Sequence, residues 1–316
     1  MNRPPLVVLT GPTAVGKSDL SIELCHAING AVISADSMQV YKHMDIGSAK
    51  IMPEEMDGID HYLIDCLEPE EAFNIVRFQE MAKEALKQIY AQGKIPVVVG
   101  GTGFYIQSLL YDIDFSDECE NSQIREELER EAEEIGAHAM HEKLKNIDPI
   151  SYETIHENNL KRVIRAIEYY KINHEPISKH NQTEREKESV YQSAYFVLND
   201  DRAVLYDRID RRVDLMIEQG LVEEVAALKS RGCTRDMISM QGLGYKEILD
   251  YLNGECSLER AIYLIKRDSR HFAKRQITWF KREKDVIWVD KQAFDRDNDK
   301  ILAYILEVLK DKKIYE

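Results

Sequence analysis

Short apolar runs alternate with amphipathic stretches over the first third of the chain. Leu6–Leu9, Ala31–Ser34 and Ile95–Val99 are apolar-rich runs of the kind found in strands buried on both faces. Between them, Ile75–Gln92 repeats its apolar positions at helical spacing, and Gly93 directly after it predicts a helix C-cap. Strand–helix alternation of this kind predicts βαβ units, hence a parallel sheet covered on both faces by helices.

The pattern changes near residue 116. Residues 117–190 are highly charged, contain no strand-like run and read as a helical insertion. Within them Asp148-Pro149 has the form of an N-cap followed by proline at the first helical position. Asn158 likewise precedes Leu160, Val163, Ile164 and Ile167, which share one helical face. A strand-like run returns at Tyr195–Leu198, Asn199-Asp200 then caps a helix that Gly220 ends, and one further apolar run, Val286–Val289, interrupts a mostly helical remainder. The predicted organisation is a core made of 1–116 and 191–316 with the insertion 117–190 between its halves.

Composition narrows the class. The 316 residues, 44% of them hydrophobic, suffice for a large core with an insertion, and no window approaches the roughly 20 apolar residues of a membrane span. The opening MNRPPLVVLTG runs straight into a strand and lacks the features of a signal peptide. Five scattered cysteines (Cys25, Cys66, Cys119, Cys233, Cys256) form no CxxC pair, which suits reduced thiols in a cytoplasmic protein rather than a disulfide framework or zinc site. A net charge of −15 argues against a nucleic-acid partner only until the distribution of basic residues is considered.

The most specific local signal is GPTAVGKS at 11–18, a G-x-x-x-x-G-K-[ST] loop between a strand and a helix. Its amides, its lysine and the helix N-terminus suit a chain of phosphates, without saying what the phosphates are attached to. Asp36 stands just past the second strand, at the edge where open α/β sheets place ligands, and reads equally as a helix-capping residue, a Mg²⁺ organiser or a general base. VVVGGTGFY ends the Ile95 strand and offers the Thr102 hydroxyl to the same cleft, or uses it in the turn. It is not G-x-G-x-x-G, so a dinucleotide fold is a poor match. Arg208, Arg211 and Arg212 cluster at helical spacing, either as a salt-bridged face or as a diphosphate clamp.

Residues 265–284 carry eight Lys/Arg against Asp268 and Glu283, with Phe272, Trp279 and Phe280 interleaved. In an acidic chain that concentration points to phosphate-backbone contact. Lys161, Arg162 and Arg165 form a second basic set, read from the residues alone as a solvated face. His138 and His141 are three apart but have no third ligand, so a surface role is expected.

Taken together, seven segments resemble the tRNA dimethylallyltransferase (tRNA isopentenyltransferase) family in its bacterial form. They are GPTAVGKS (11–18), ISADSMQVYKHMDIGSAK (33–50), VVVGGTGFY (97–105), NNLKRVIRAIE (158–168), YDRIDRRVDLMIEQGLVEEV (206–225), QGLGYKE (241–247) and RQITWFKR (275–282). They run in order along nearly the whole chain. The resemblance implies a P-loop NTPase-like α/β core with a helical insertion. It also implies transfer of a dimethylallyl group from dimethylallyl diphosphate to the N6 amine of the tRNA adenosine 3′-adjacent to the anticodon.

Carried over by position, Gly11, Thr13, Ala14, Val15, Gly16, Lys17 and Ser18 would bind the diphosphate, with Ser18 and Asp36 at Mg²⁺. Asp36 would be the general base, Thr102 would position the reacting groups and Arg208 would hold the diphosphate. Asp36, Ser37, Met38, Gln39, Lys161, Arg162, Arg165, Lys274, Arg275, Gln276, Thr278, Trp279 and Lys281 would contact the anticodon stem-loop. A cytoplasmic monomer is expected. The rival readings are a small-molecule kinase using ATP, an adenylate isopentenyltransferase, and a non-catalytic RNA-binding protein that would need neither Asp36 nor Thr102.

Overall fold

The structure, a computed structural model, describes residues 3–115 and 122–315; Cys119 and the expected boundary at 116–117 lie outside them. The chain divides into two compact units, Met1–Leu110 with Val190–Glu316, and Tyr111–Ser189.

The elements run β1 (Pro5–Thr10), α1 (Lys17–Ile28), β2 (Gly30–Ser34), β3 (His61–Tyr62), α2 (Ile75–Ala91), β4 (Ile95–Gly100), α3 (Gly103–Leu110), then α4 (Ser122–Ile147), α5 (Pro149–Thr154), α6 (Leu160–Asn173) and α7 (Ile177–Glu186) in the second unit. The first unit resumes with β5 (Gln192–Asn199), α8 (Arg202–Glu218), α9 (Leu221–Ser230), α10 (Tyr245–Leu252), α11 (Leu258–Phe280), β6 (Val286–Asp290) and α12 (Asn298–Asp311).

Six strands form one sheet in the order β3-β2-β4-β1-β5-β6, and every pairing is parallel. The apolar runs fill its centre, where Val7, Leu9, Phe196 and Leu198 are fully buried with Leu20 and Leu24 of α1 and Ile301 and Ile305 of α12. Register decides where the chemistry goes. Thr10 pairs with both Gly100 and Val197, and Ser34 pairs with Val99, so the loops after β1, β2, β4 and β5 leave the same carboxyl edge. That edge is the ligand side of an open parallel sheet. The two-residue β3 was not foreseen, because two residues carry no periodicity.

Two capping expectations shift by a residue. Asp201, not Asn199-Asp200, caps α8, accepting from the amides of Ala203 (2.8 Å) and Val204 (3.2 Å). Asn159, not Asn158, stands at the N-cap of α6 and makes no side-chain cap bond. Gly93 has the positive φ of 69° expected just past a helix, behind Gln92 at the cap of α2.

The second unit has its own core of Leu128, Met140, Leu144, Val163, Ile164 and Ile167. Asp148 is fully buried and caps α5 through Ser151 N (3.0 Å), while its other oxygen accepts from Ser178 N (3.0 Å) at the start of α7. One carboxylate thus fixes the starts of two helices. His141 donates toward the Tyr152 and Ile155 carbonyls and His138 pairs with Glu157, so both histidines are occupied structurally. Among the described residues no group of three His, Cys, Asp or Glu could hold a metal ion, and no helix is long and apolar enough to cross a membrane.

Candidate active site

The phosphate loop turns back at Gly11, whose φ of 147° and close approach to the Leu198 carbonyl leave no room for a Cβ. Ala14 (φ 63°) and Gly16 (φ 89°) complete the bend. Gly16 is the N-cap of α1 and supplies no side-chain cap, so the first amides of α1 stay available to an anion. Lys17 Nζ folds over the loop and donates to the carbonyls of Gly11 (3.0 Å) and Pro12 (2.9 Å). Burial lowers its pKa to about 8; neighbouring Arg212 pushes the same way, and Asp36 opposes them.

Asp36 follows β2. Its Oδ1 accepts from the amides of Met38 (2.8 Å) and Gln39 (3.4 Å), while Oδ2 has no hydrogen-bond partner among the described residues. No helix directly follows Asp36 among the described residues, so the helix-capping reading gives way to a turn held by one oxygen, and the other oxygen is left unbonded. Gln39 points inward, accepting from Ser34 Oγ (3.3 Å) and donating to the Ala49 carbonyl (3.1 Å), which removes its amide from the expected tRNA-facing set. Thr102 caps α3 through its carbonyl, which accepts from Tyr105 N (3.0 Å), and its own amide donates to Ala35 O (3.2 Å). The loops after β2 and β4 are thereby joined.

A cavity of about 430 Å³ lies at this edge. Thr13, Asp36, Thr102, Arg212, Lys246 and Arg275 are among its polar residues, and Phe73, Tyr105, Ile209, Val213, Met216 and Ile265 supply apolar wall. The arginine from α8 is Arg212. Arg208, one turn earlier, does not line the cavity; its Nη1 lies 3.3 Å from the buried Asp200 carboxylate. Arg208, expected to hold the diphosphate, is thus found paired with Asp200, and Arg212 takes the place at the cavity. Burial lowers the pKa of the Arg212 guanidinium, with Asp36 opposing.

Gln276 also departs from the expected tRNA set. It is 6% exposed, its Oε1 accepts from the Thr13 amide (2.9 Å) and its Nε2 donates to the Gly101 carbonyl (3.0 Å). It fastens the phosphate loop to the turn that carries Thr102. Glu224 does comparable work opposite. It accepts from the amides of Asp45 (2.9 Å), Ile46 (2.7 Å) and Gly47 (3.0 Å) and from the Tyr245 hydroxyl (2.8 Å), fixing the Gly47–Ser48 wall of the cavity. Both residues lie inside segments that carry the family resemblance, but nothing local in those segments signals a buried bracing role.

The basic stretch of α11 splits in two. Lys266 pairs with Asp214 (2.6 Å), Arg270 with Asp210, and Arg267 with Asp268 (2.8 Å). Lys274, Arg275, Lys281 and Arg282 are exposed and have no carboxylate partner among the described residues; Thr278 shares their face. Trp279 is partly buried against Gly103 and packs edge-to-face on Phe104 (6.1 Å). Ser37 and Met38 line the cavity. On the second unit, Lys161 and Arg162 are exposed, whereas Arg165 turns partly inward to buried Glu168 (3.2 Å).

Three comparisons bear on this arrangement. The family described as IPP transferase matches residues 39–283. A protein of Lachnoclostridium phytofermentans named tRNA dimethylallyltransferase is 60% identical over 310 residues, 98% of this chain and 99% of its own. The crystal structure of a full-length tRNA isopentenylpyrophosphate transferase from Bacillus halodurans superposes with a TM-score of 0.72 at 43% identity, covering 98% of each chain. A eukaryotic dimethylallyltransferase, described as acting on tRNA, gives a TM-score of 0.78 at 30% identity over 91% of this chain and 74% of its own. The P-loop NTPase-like fold, the cavity and these likenesses lead to one assignment: this chain belongs to the tRNA dimethylallyltransferase family.

Proposed function

We propose that the protein transfers the dimethylallyl group of dimethylallyl diphosphate to the N6 amine of the tRNA adenosine 3′-adjacent to the anticodon, releasing diphosphate. The observation that carries this reading is the meeting of Thr13 of the phosphate loop, Asp36, Thr102 and Arg212 at one cavity with apolar walls. The loop suits the diphosphate, and the walls suit the prenyl chain.

An exocyclic aromatic amine is a weak nucleophile, so the reaction depends on departure of diphosphate from the allylic carbon. The C–O bond to the leaving group breaks as the N–C bond forms, and negative charge grows on the leaving oxygens. Lys17, Arg212 and the loop amides are placed to stabilise that charge, usually the largest single catalytic contribution. The amine proton passes to Asp36, whose Oδ2 is free to accept it while Oδ1 is held in its turn. Thr102 stands at the same cavity to orient the amine.

The residues present suit Mg²⁺. The ion is commonly held by one or two protein groups together with substrate phosphates, and the exposed Ser18 hydroxyl and the unbonded Asp36 oxygen provide them. Bound there, the ion would neutralise charge on the diphosphate. The adenosine has to leave the loop stack to reach this cavity, at a cost of a few kcal/mol. The exposed cations of α11, with Lys161 and Arg162, would engage the phosphate backbone of the stem-loop.

The test is incubation of the purified protein with Mg²⁺, radiolabelled dimethylallyl diphosphate and undermodified tRNA. Label is expected in tRNA, and Asp36→Asn is expected to lower turnover by about 10²–10⁴-fold with tRNA affinity kept. Phosphate transfer from ATP without label in tRNA would refute the proposal.

A further inference from the structure

Lys291 arrives beside the phosphate loop from the short helical turn after β6, and no motif marks it. It is only 5% exposed, and its Nζ has two polar neighbours, the Asn298 side-chain oxygen (3.2 Å) and the Val15 carbonyl (3.4 Å). A Cβ placed on Gly16 would stand 3.2 Å from that nitrogen, so the ammonium sits against the N-cap of α1.

Both neighbours are neutral. Among the described residues no carboxylate lies within ion-pair distance; Asp200, Asp19 and Glu23 act on it only from farther away, and Arg208 opposes them. Asp200 itself is committed to Arg208 (3.3 Å) and Arg296 (3.0 Å). A buried charge without a paired counter-charge is costly, and cost of that kind collects at functional sites. The loop that Lys291 touches is built to receive an anion.

Resting on the diphosphate reading above, we propose that Lys291 is a positioning residue whose charge the bound diphosphate neutralises. It acts across the Val15–Gly16 backbone, adding positive charge behind the loop in company with Lys17. A plain tether of the loop would need only a hydrogen-bond donor; this role needs the charge.

Lys291→Gln keeps a donor and removes the charge, and Lys291→Arg keeps the charge. The measurements are the melting temperature of the ligand-free protein and the affinity for inorganic diphosphate with Mg²⁺ by calorimetry. Lys291→Gln is expected to melt no lower than wild type, because an uncompensated charge is gone, yet to bind diphosphate about tenfold more weakly. Lys291→Arg is expected to stay near wild-type affinity. Lys291→Gln with unchanged affinity would overturn the proposal. So would parallel loss of stability and affinity, which marks a tether. Failure of the wild type to bind diphosphate would overturn both this proposal and the reading beneath it, whereas wild-type binding with an indifferent Lys291→Gln overturns this one alone.

Discussion

Arg208 and Arg212 stand one turn apart on α8 and meet different partners. Arg212 lines the cavity beside Asp36, and Arg208 reaches the carboxylate of Asp200 at 3.3 Å. Arg212→Ala is expected to lower kcat/KM by about 10²–10³-fold, the usual loss when a preorganised group on a leaving oxygen is removed. Arg208→Ala is expected to cost much less. Steady-state kinetics on both variants decides which arginine carries the chemistry, and a larger loss at Arg208 would reverse the assignment.

Gln276→Ala deprives the Thr13 amide and the Gly101 carbonyl of their common partner. Leaving such groups unmet in a buried setting costs about 1–3 kcal/mol. The expected outcome is a lower melting temperature and a raised KM for the prenyl diphosphate. Affinity for tRNA, measured by filter binding, is expected to change little, since the side chain is inside the protein.

Lys17 gives the site a pH dependence. Burial sets its pKa at about 8, so the free protein loses this proton as pH rises through that value. A bound diphosphate favours the ammonium and raises the pKa again. Binding must then take up a proton above pH 8, and affinity falls there by at most about tenfold per pH unit from this group. Calorimetry in two buffers of different ionisation enthalpy, corrected for the ligand's own titration, should show more proton uptake at pH 8.5 than at pH 7.

The division of α11 predicts two kinds of basic variant. Lys274→Ala and Lys281→Ala should each weaken tRNA binding and flatten its salt dependence by about one unit of slope, as expected when a phosphate contact is lost. Arg270→Ala should leave that slope alone, because Asp210 already neutralises its charge. Equal slopes for all three would place the RNA elsewhere.

What could be read from the sequence was whatever is local in it. Leu6–Leu9 and the centre of the Ile95–Val99 run, Val97 and Val98, are fully buried, so their apolar runs show without any knowledge of neighbours. GPTAVGKS is legible for a similar reason: its backbone does the binding, and its glycines are required by its own bends. Partners were not legible. Arg208 and Arg212 share one face of α8 a turn apart, and only the partners that packing brings to each level, Asp200 for one and the cavity for the other, tell them apart. The pairing of Lys266 with Asp214 and of Arg270 with Asp210 joins residues 52 and 60 positions apart, so the stretch reads as more basic than it is. For Gln276 the resemblance implies tRNA contact, and a polar residue among cations gives no sign in the sequence of being buried.

The phosphate loop is nearly the first structure the chain makes and among the last it can use. Thr13 is held by a residue 263 positions later, and Val15 faces one 276 positions later. β1 itself lies between β4 and β5, so its flanks also wait for distant chain. Contacts of such long range form slowly, and a nascent chain exposes the unfinished edge until they do. During synthesis the protein therefore carries its most recognisable motif for almost its whole length before that motif has all its partners. The last of them arrive with α11 and the turn after β6.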